Sequence, residues 1–403
     1  MRGDSRGLAR TGSGLYRHEL QNATFANDSQ LSRKGTRRAM IYLDYQATTP
    51  LAPEARAAML QWLGGAESEG GYANPSSQYR SGRAASVAVE MARDDVAALL
   101  PPGGRLFFTS GATEALNWAL FCGARIKPGG VAGSSIEHAA ALQCVDALHG
   151  GVIAVGGDGV AKTPVPNDLP VNGIISLMLV NNEVGTIQPV EAYAEAAHAR
   201  GSLLLCDAVQ GYGRMAMPVG ADMIAVTAHK IHGPKGIGAL WVRDGIDLPP
   251  LLLGGGQEQG MRSGTVSPAL VAGFGAAAKL ARERMEADAA HVARLWDIAL
   301  DEMAGWTING STTHRYKGNL NIRRAGVNAT RLLSDARQIA FSLGSACGSG
   351  SGRSSHVLRT MGVSEAEARS SIRLGWGRYT SESDLRAGLG AIKAAAALQG
   401  EPA

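Results

Sequence analysis

Long apolar runs are missing from this chain of 403 residues. A stretch such as Ile174 to Val180, itself interrupted by Ser176, falls well short of the roughly 20 residues that a spanning helix needs, so no membrane crossing is expected. Cysteine is scarce as well. Cys122, Cys144, Cys206 and Cys347 include no CxxC pair, and none stands beside paired histidines, which excludes a disulfide framework and a zinc site and points to a reducing cytoplasm. No metal ligand set is expected. An excess of one charge is also lacking outside the first 39 residues. That segment holds eight Lys and Arg against three Asp and Glu; of the 39 basic and 35 acidic residues, 31 and 32 remain for the rest. A body so near neutrality offers no electrostatic footprint for a phosphate backbone, so nucleic acid is not expected as a direct partner. Neither a repeat of 20 to 50 residues nor a dinucleotide or P-loop fingerprint is present.

What is there describes a globular protein: 45% hydrophobic and 18% charged residues, with length for two or three domains. Residues 1–39 are rich in Arg, Ser, Gly and Asn without an apolar period, and read as a disordered basic tail. Two origins stay open for them, an organellar transit peptide or a start assigned upstream of Met40, where Met40-Ile41-Tyr42-Leu43-Asp44 opens a recognisable pattern. From about residue 85 to 280, short apolar runs alternate with helical stretches. Leu106-Phe107-Phe108 leads through Thr109 to Glu114 into a helix over Ala115 to Ala124. Ile174 to Val180 is followed by an Ala-rich helix over Val190 to Arg200. Leu203 to Cys206 ends in Asp207, and Met223 to Val226 ends in Thr227-Ala228-His229-Lys230. This rhythm predicts βαβ units, hence an α/β fold with a mostly parallel sheet and ligands gathered beyond the carboxyl ends of its strands. After residue 281 a long charged helix, Leu280 to Met303, and shorter β-like pieces such as Asn319 to Arg323 suggest a smaller α/β domain. The expected division is 51–280 as the large domain and 40–50 plus 281–403 as the small one.

Four polar clusters stand at these strand ends. Ser110-Gly111-Ala112-Thr113 opens a helix with small residues, which makes either an ordinary cap or an anion site of free backbone N–H groups and the Thr113 hydroxyl. Asp207, after an apolar run, is either a cap or a buried carboxylate that needs a cation such as a protonated ring nitrogen. Gln210 stands three residues on. Lys230, with Thr227 and His229 before it, becomes a candidate for a Schiff base if it faces a dry crevice, and an ordinary surface charge if not. His138, after Ser134-Ser135-Ile136-Glu137, suits either a structural role at a helix start or stacking and proton transfer on a planar cofactor. Asn182 could bond a ring hydroxyl or a substrate carboxylate. Nine of the twelve residues from Gly344 to Ser355 are Gly or Ser, and Cys347 sits among them. A thiol on such a tether suggests a nucleophile that travels. The glycine-rich run Gly254 to Thr265 implies close backbone approach to a ligand or a neighbouring subunit.

From Met40 to about Gly390 the chain resembles the pyridoxal-phosphate-dependent cysteine desulfurases of the NifS/IscS family, within the class-V aminotransferase superfamily. The likeness is carried by Tyr42 to Pro50, Asn74-Pro75-Ser76-Ser77, Thr109 to Glu114, Glu137-His138, Asn181 to Gly185 and Asp207 to Gln210. It continues in His229-Lys230, Gly233 to Gly236, Arg262 to Thr265, Ser345-Ala346-Cys347 and Gly377 to Thr380. The resemblance implies the type I fold of pyridoxal-phosphate enzymes, a homodimer, and removal of sulfur from L-cysteine to give L-alanine and a persulfide on Cys347. It implies that Lys230 holds pyridoxal 5'-phosphate covalently and that Ala112, Thr113, Thr227 and His229 bind its phosphate, with Thr265 supplied by the partner subunit. Asp207 would meet the ring nitrogen, Gln210 and Asn182 the ring oxygen, and His138 the ring face. Arg378 and Asn182 would receive the substrate carboxylate. The acceptor of the sulfur would be an iron–sulfur scaffold or another protein, tRNA thiolation included. Related chemistries to be separated by experiment are a selenocysteine lyase, a class-V aminotransferase, which has no need of Cys347, and a non-catalytic interaction protein. The chain departs from the family pattern at Tyr79 and His232, where His and Tyr are usual, and in Gly350 to Ser355, where Leu-Glu-Pro-Ser is usual.

Overall fold

The computed structural model describes residues 40–343 and 355–399, apart from 66 and 69; the basic tail and Cys347 lie outside the described residues. The chain opens with β1 (Ile41–Tyr42), α1 (Pro53–Leu60) and α2 (Arg80–Ala97), then β2 (Gly104–Thr109), α3 (Ala112–Ile126), β3 (Val131–Ser134) and α4 (Ala139–Ala147). It continues through β4 (Gly151–Ile153), β5 (Ile174–Ser176), α5 (Val190–His198), β6 (Leu203–Asp207), β7 (Met223–Thr227) and β8 (Gly238–Arg243). The long α6 (Pro268–Glu302) leads to β9 (Thr307–Ile308), β10 (Asn319–Arg323), α7 (Ala329–Asp335), β11 (Ile339–Ala340) and β12 (Ser342–Leu343). Last come α8 (His356–Thr360), α9 (Glu365–Arg369), β13 (Ser371–Gly375) and α10 (Glu382–Ala397). No helix among the described residues is long and apolar enough to cross a membrane.

Seven strands form one sheet in the order β2-β8-β7-β6-β5-β3-β4. The pairs from β4 to β7 are parallel, and only β8 runs against its neighbours β2 and β7, so the expected α/β sheet is mostly parallel. Period-two alternation divides its side chains between two cores. Leu204, Cys206, Ile224 and Val226 enter one; Leu203, Leu205, Met223 and Ala225 enter the other. Helices cover both faces because both are apolar. A four-stranded antiparallel sheet, β12-β13-β10-β9, has a third core of its own. There Leu320, Ile322, Ile372 and Leu374 meet Leu385 and Leu389 of α10 and Leu295 and Trp296 of α6.

Two elements differ from the sequence reading. The run Ile174 to Val180 is a strand only as far as Ser176. Beyond it, Leu177 N still donates to Leu205 O at 3.0 Å and Leu179 N to Asp207 O at 2.9 Å, so the backbone remains satisfied while the chain bends toward Asn182. The charged helix expected from Leu280 begins at Pro268, with Ser267 as its cap. Its first half is Ala- and Gly-rich because it is buried against α2: a Cβ on Gly275 would lie 2.7 Å from Ala92 Cα. Small residues there permit close helix approach and carry no amphipathic signal.

The run Gly254 to Thr265 uses its glycines for backbone shape, since Gly254, Gly256, Gly260 and Gly264 all have positive φ. Glu258 (φ 47°) and Gln259 (φ 59°) adopt the same region without being glycine. Glu258 is held there by Arg93, at 2.7 and 2.8 Å, and by Phe108 N at 2.7 Å. Its side chain is 2% exposed and that of Arg93 14%. Arg93 also meets Glu90 at 3.0 Å, so loss of Glu258 leaves the guanidinium paired but takes the acceptor from the buried Phe108 N–H, at a typical cost of about 1–3 kcal/mol. Glu258→Ala is therefore expected to lower the denaturant midpoint at unchanged slope, and a midpoint equal to wild type would deny this pair its anchoring role.

Candidate active site

Parallel strands ending side by side deliver their following residues to one crevice, and four of the strand-end clusters arrive there together. A cavity of about 440 Å³ lies above the carboxyl ends of the sheet, bounded by the start of α3, the cap of α4, the turn after β5 and the ends of β6 and β7. Ala112 and Thr113 line it at the first turn of the 15-residue α3, whose leading N–H groups have no partner within the helix. Thr227 and His229 line the same wall. Burial, followed by the fields of Lys230, Lys235 and Arg214, depresses the His229 imidazole to about 4, so this ring is neutral at pH 7. Its Nδ1 lies 3.2 Å from Thr48 Oγ1.

Asp207 is buried at the end of β6. Its Oδ1 accepts from Val209 N at 3.0 Å. Burial raises its carboxyl, while that bond, His138 and Lys230 pull it back down, so a further cation would favour its ionised form. Lys230 follows β7, the parallel neighbour of β6. Its Nζ donates to the carbonyls of Gln46 and, at 2.9 Å, Ala47. Gln210, also buried, donates from Nε2 to the same Gln46 carbonyl at 3.0 Å and accepts from Arg214 at 2.9 Å. His138 caps α4 by accepting the Ala140 N–H on Nδ1 at 3.1 Å. In the neutral ring this places the remaining hydrogen on Nε2. Asn182 completes the rim.

Nine of the expected residues thus share one cavity. The others do not. Cys347 lies outside the described residues. Thr265 is exposed on its loop and does not line the cavity of its own chain. Arg378 is placed elsewhere: it forms a paired contact with Asp288 of α6 at 2.7 Å and lines a smaller crevice of about 40 Å³, which shares Lys230 with the cavity. Its position after Gly377 turns it away from the strand ends and toward α6.

The guanidinium that does line the cavity is Arg373, in the middle of β13 and 1% exposed. It donates to Asp44 at 2.8 Å and to the carbonyl of Asn182 at 3.1 Å, and its Nε has no hydrogen-bond partner among the described residues. The sequence reading passed over it. The available signal was a charge inside the apolar strand Ser371-Ile372-Arg373-Leu374, a placement that needs a buried counter-charge. Gln46 and Lys235 also line the cavity and were likewise not singled out.

Residues 41–387 match the aminotransferase class-V family, and the chain belongs to it. A cysteine desulfurase IscS of Rickettsia bellii (strain OSU 85-389) is 39% identical over 375 residues, covering 86% of this chain and 88% of that one. A mitochondrial cysteine desulfurase of Eremothecium gossypii is 40% identical over 365 residues, covering 86% and 74%. A solved NifS-like protein superposes with a TM-score of 0.80 at 29% identity, over 89% of this chain and 100% of its own. Within the class-V family, then, the chain groups with the NifS/IscS-type cysteine desulfurases, which are pyridoxal-phosphate-dependent enzymes.

Proposed function

We propose that the protein removes sulfur from L-cysteine, with pyridoxal 5'-phosphate held in the 440 Å³ cavity, and passes it on through Cys347. The observation that carries this reading is the convergence of a buried carboxylate, Asp207, and an amine, Lys230, from adjacent parallel strands onto a cavity walled by a helix N-terminus. That donor set fits the cofactor. The N-terminal amides of α3, Thr113, Thr227 and neutral His229 suit a phosphate; Asp207 suits a protonated ring nitrogen; Gln210 and Asn182 suit the ring oxygen; Lys230 suits covalent attachment. When bound, the cofactor would supply an electron sink for the pair left at the substrate α-carbon.

The protein's own groups would do the remaining work. Arg373, rather than Arg378, would orient the substrate carboxylate, because its guanidinium borders the cavity and that of Arg378 does not; Arg373 Nε, without a partner among the described residues, is free to donate there. Lys230 Nζ would take up and return the α-proton. His138, held by the Ala140 N–H, would lie against the ring with a proton available on Nε2. Cys347, as thiolate, would attack the substrate sulfur; the carbon–sulfur bond breaks, a sulfur–sulfur bond forms, and alanine leaves after protonation of its β-carbon. We further assign to this reading a homodimer that brings Thr265 across, a cytoplasmic location, the 51–280 and 40–50 plus 281–403 domain division, and an acceptor protein such as an iron–sulfur scaffold.

The test is product analysis. L-cysteine with a thiol reductant is expected to give alanine and sulfide in equal amounts, and borohydride is expected to fix the chromophore on Lys230. Formation of a keto acid in place of alanine would instead make the enzyme an aminotransferase. Preference for selenocysteine under the same conditions would make it a lyase of that substrate.

A further inference from the structure

Two carboxylates under the influence of Arg373, Asp44 by direct contact and Glu183 through its field, reach on their other sides two residues that flank the segment carrying Cys347. Asp44 accepts from Arg373 at 2.8 Å through Oδ1 and from Ser342 Oγ at 2.7 Å through Oδ2. Ser342 stands opposite Arg373 in the β12–β13 pair. Glu183 follows Asn182, whose carbonyl Arg373 holds, and its Oε2 accepts a hydrogen bond from Ser355 Oγ. Ser355 in turn caps α8 through Leu358 N at 3.1 Å. Beside it, His356 Nε2 donates to the carbonyl of Glu137, the residue before His138, at 3.0 Å.

We propose that Asp44 and Glu183 are positioning residues that couple a carboxylate bound at Arg373 to the seats of Ser342 and Ser355, and that Glu183 takes up one proton when that carboxylate binds. The inference rests on the reading of Arg373 as the carboxylate site.

Charge drives the coupling. Glu183 is buried, and burial lifts its carboxyl to about 7, against the opposing effects of the Ser355 bond and then the fields of Arg373 and His138. The groups acting on it are Ser355 at the cap of α8, Arg373 of β13 with Asp44 behind it, His138 at the cap of α4, and Asn321 of β10, which donates to its backbone carbonyl at 3.1 Å. A ligand carboxylate on Arg373 cancels part of one of the two nearby fields that favour ionised Glu183, the other being that of His138, and adds a like charge. Both effects push the carboxyl further up, so a proton enters from solvent. The bond from Ser355 then loses its charge assistance, which is roughly half of the strength of such a bond. Occupancy at Arg373 is thereby felt at Ser355.

The experiment titrates the holoenzyme with propionate, a carboxylate that carries no amine. Calorimetry at pH 8 in two buffers of different ionisation enthalpy counts the protons, and affinity is followed from pH 6 to 9. Wild type is expected to take up close to one proton per site, with affinity falling up to about tenfold per pH unit above the Glu183 midpoint. Glu183→Gln is expected to take up none and to hold its affinity within about twofold across that range. Ser355→Ala, which loses one cap, is expected to move the midpoint of the affinity profile to higher pH. Proton uptake that survives in Glu183→Gln, its absence in wild type, or an unmoved midpoint in Ser355→Ala would each overturn the coupling. Propionate binding that is indifferent to Arg373→Gln would remove the carboxylate-site reading and the coupling with it. Binding that needs Arg373 yet carries no proton overturns the coupling alone.

Discussion

Replacing Cys347 by alanine is expected to lower sulfide release from L-cysteine by at least about 10³-fold, the scale on which loss of a reacting nucleophile acts. The cofactor absorbance and its change on adding L-cysteine should persist, because Asp207, Lys230 and the start of α3, the groups that suit the cofactor, are unchanged by the substitution. Lys230→Ala should lose both turnover and the covalently fixed chromophore. The pair of variants separates two steps that one assay would merge. Sulfide release that survives in Cys347→Ala would remove the persulfide route and leave a direct elimination in its place.

Exchanging two arginines that stand five residues apart is expected to give opposite results. Arg373→Lys keeps a cation beside Asp44 but loses the planar fork that matches a carboxylate. We expect kcat/KM for L-cysteine to fall by about 10²-fold, carried mainly by KM, with cofactor absorbance intact. Arg378→Lys leaves the cavity untouched, so KM should stay within about twofold of wild type. Its cost should appear as a lower melting temperature, since Arg378 is 6% exposed and its carboxylate partner Asp288 belongs to α6. A KM effect confined to Arg378→Lys would restore the carboxylate to that residue.

How legible this was depended on the kind of element. The ends of β2, β6 and β7 were visible because each apolar run stops at a polar residue, and a parallel sheet gathers such ends on one edge. Lys230 and Asp207 met there as anticipated. The start of α6 was not visible, because a helix buried on most sides has no polar face to mark its period. Nor was the environment of His232. Its φ of 70° and its ring contacts with Tyr45 and Tyr379, at 5.9 and 4.9 Å between centroids, come from residues far apart in the chain. The sequence marked the position only as a departure from the family pattern.

Local order in the chain determined the alternation of strand and helix and the polar residues at the run ends, because both follow from short-range periodicity, while the family was legible in its ordered motifs from Tyr42 to Thr380. Which arginine faces the cavity, and which carboxylates stand behind it, was decided by tertiary structure alone. Arg373 and Arg378 are separated by one tight passage through Gly375 and Gly377. Only the pairing of β13 with β10 and β12, and the packing of α6 beside it, turns one guanidinium toward Asp44 and Asn182 and the other toward Asp288. Charges so close in sequence look alike until the low-dielectric surroundings of each are fixed by distant segments.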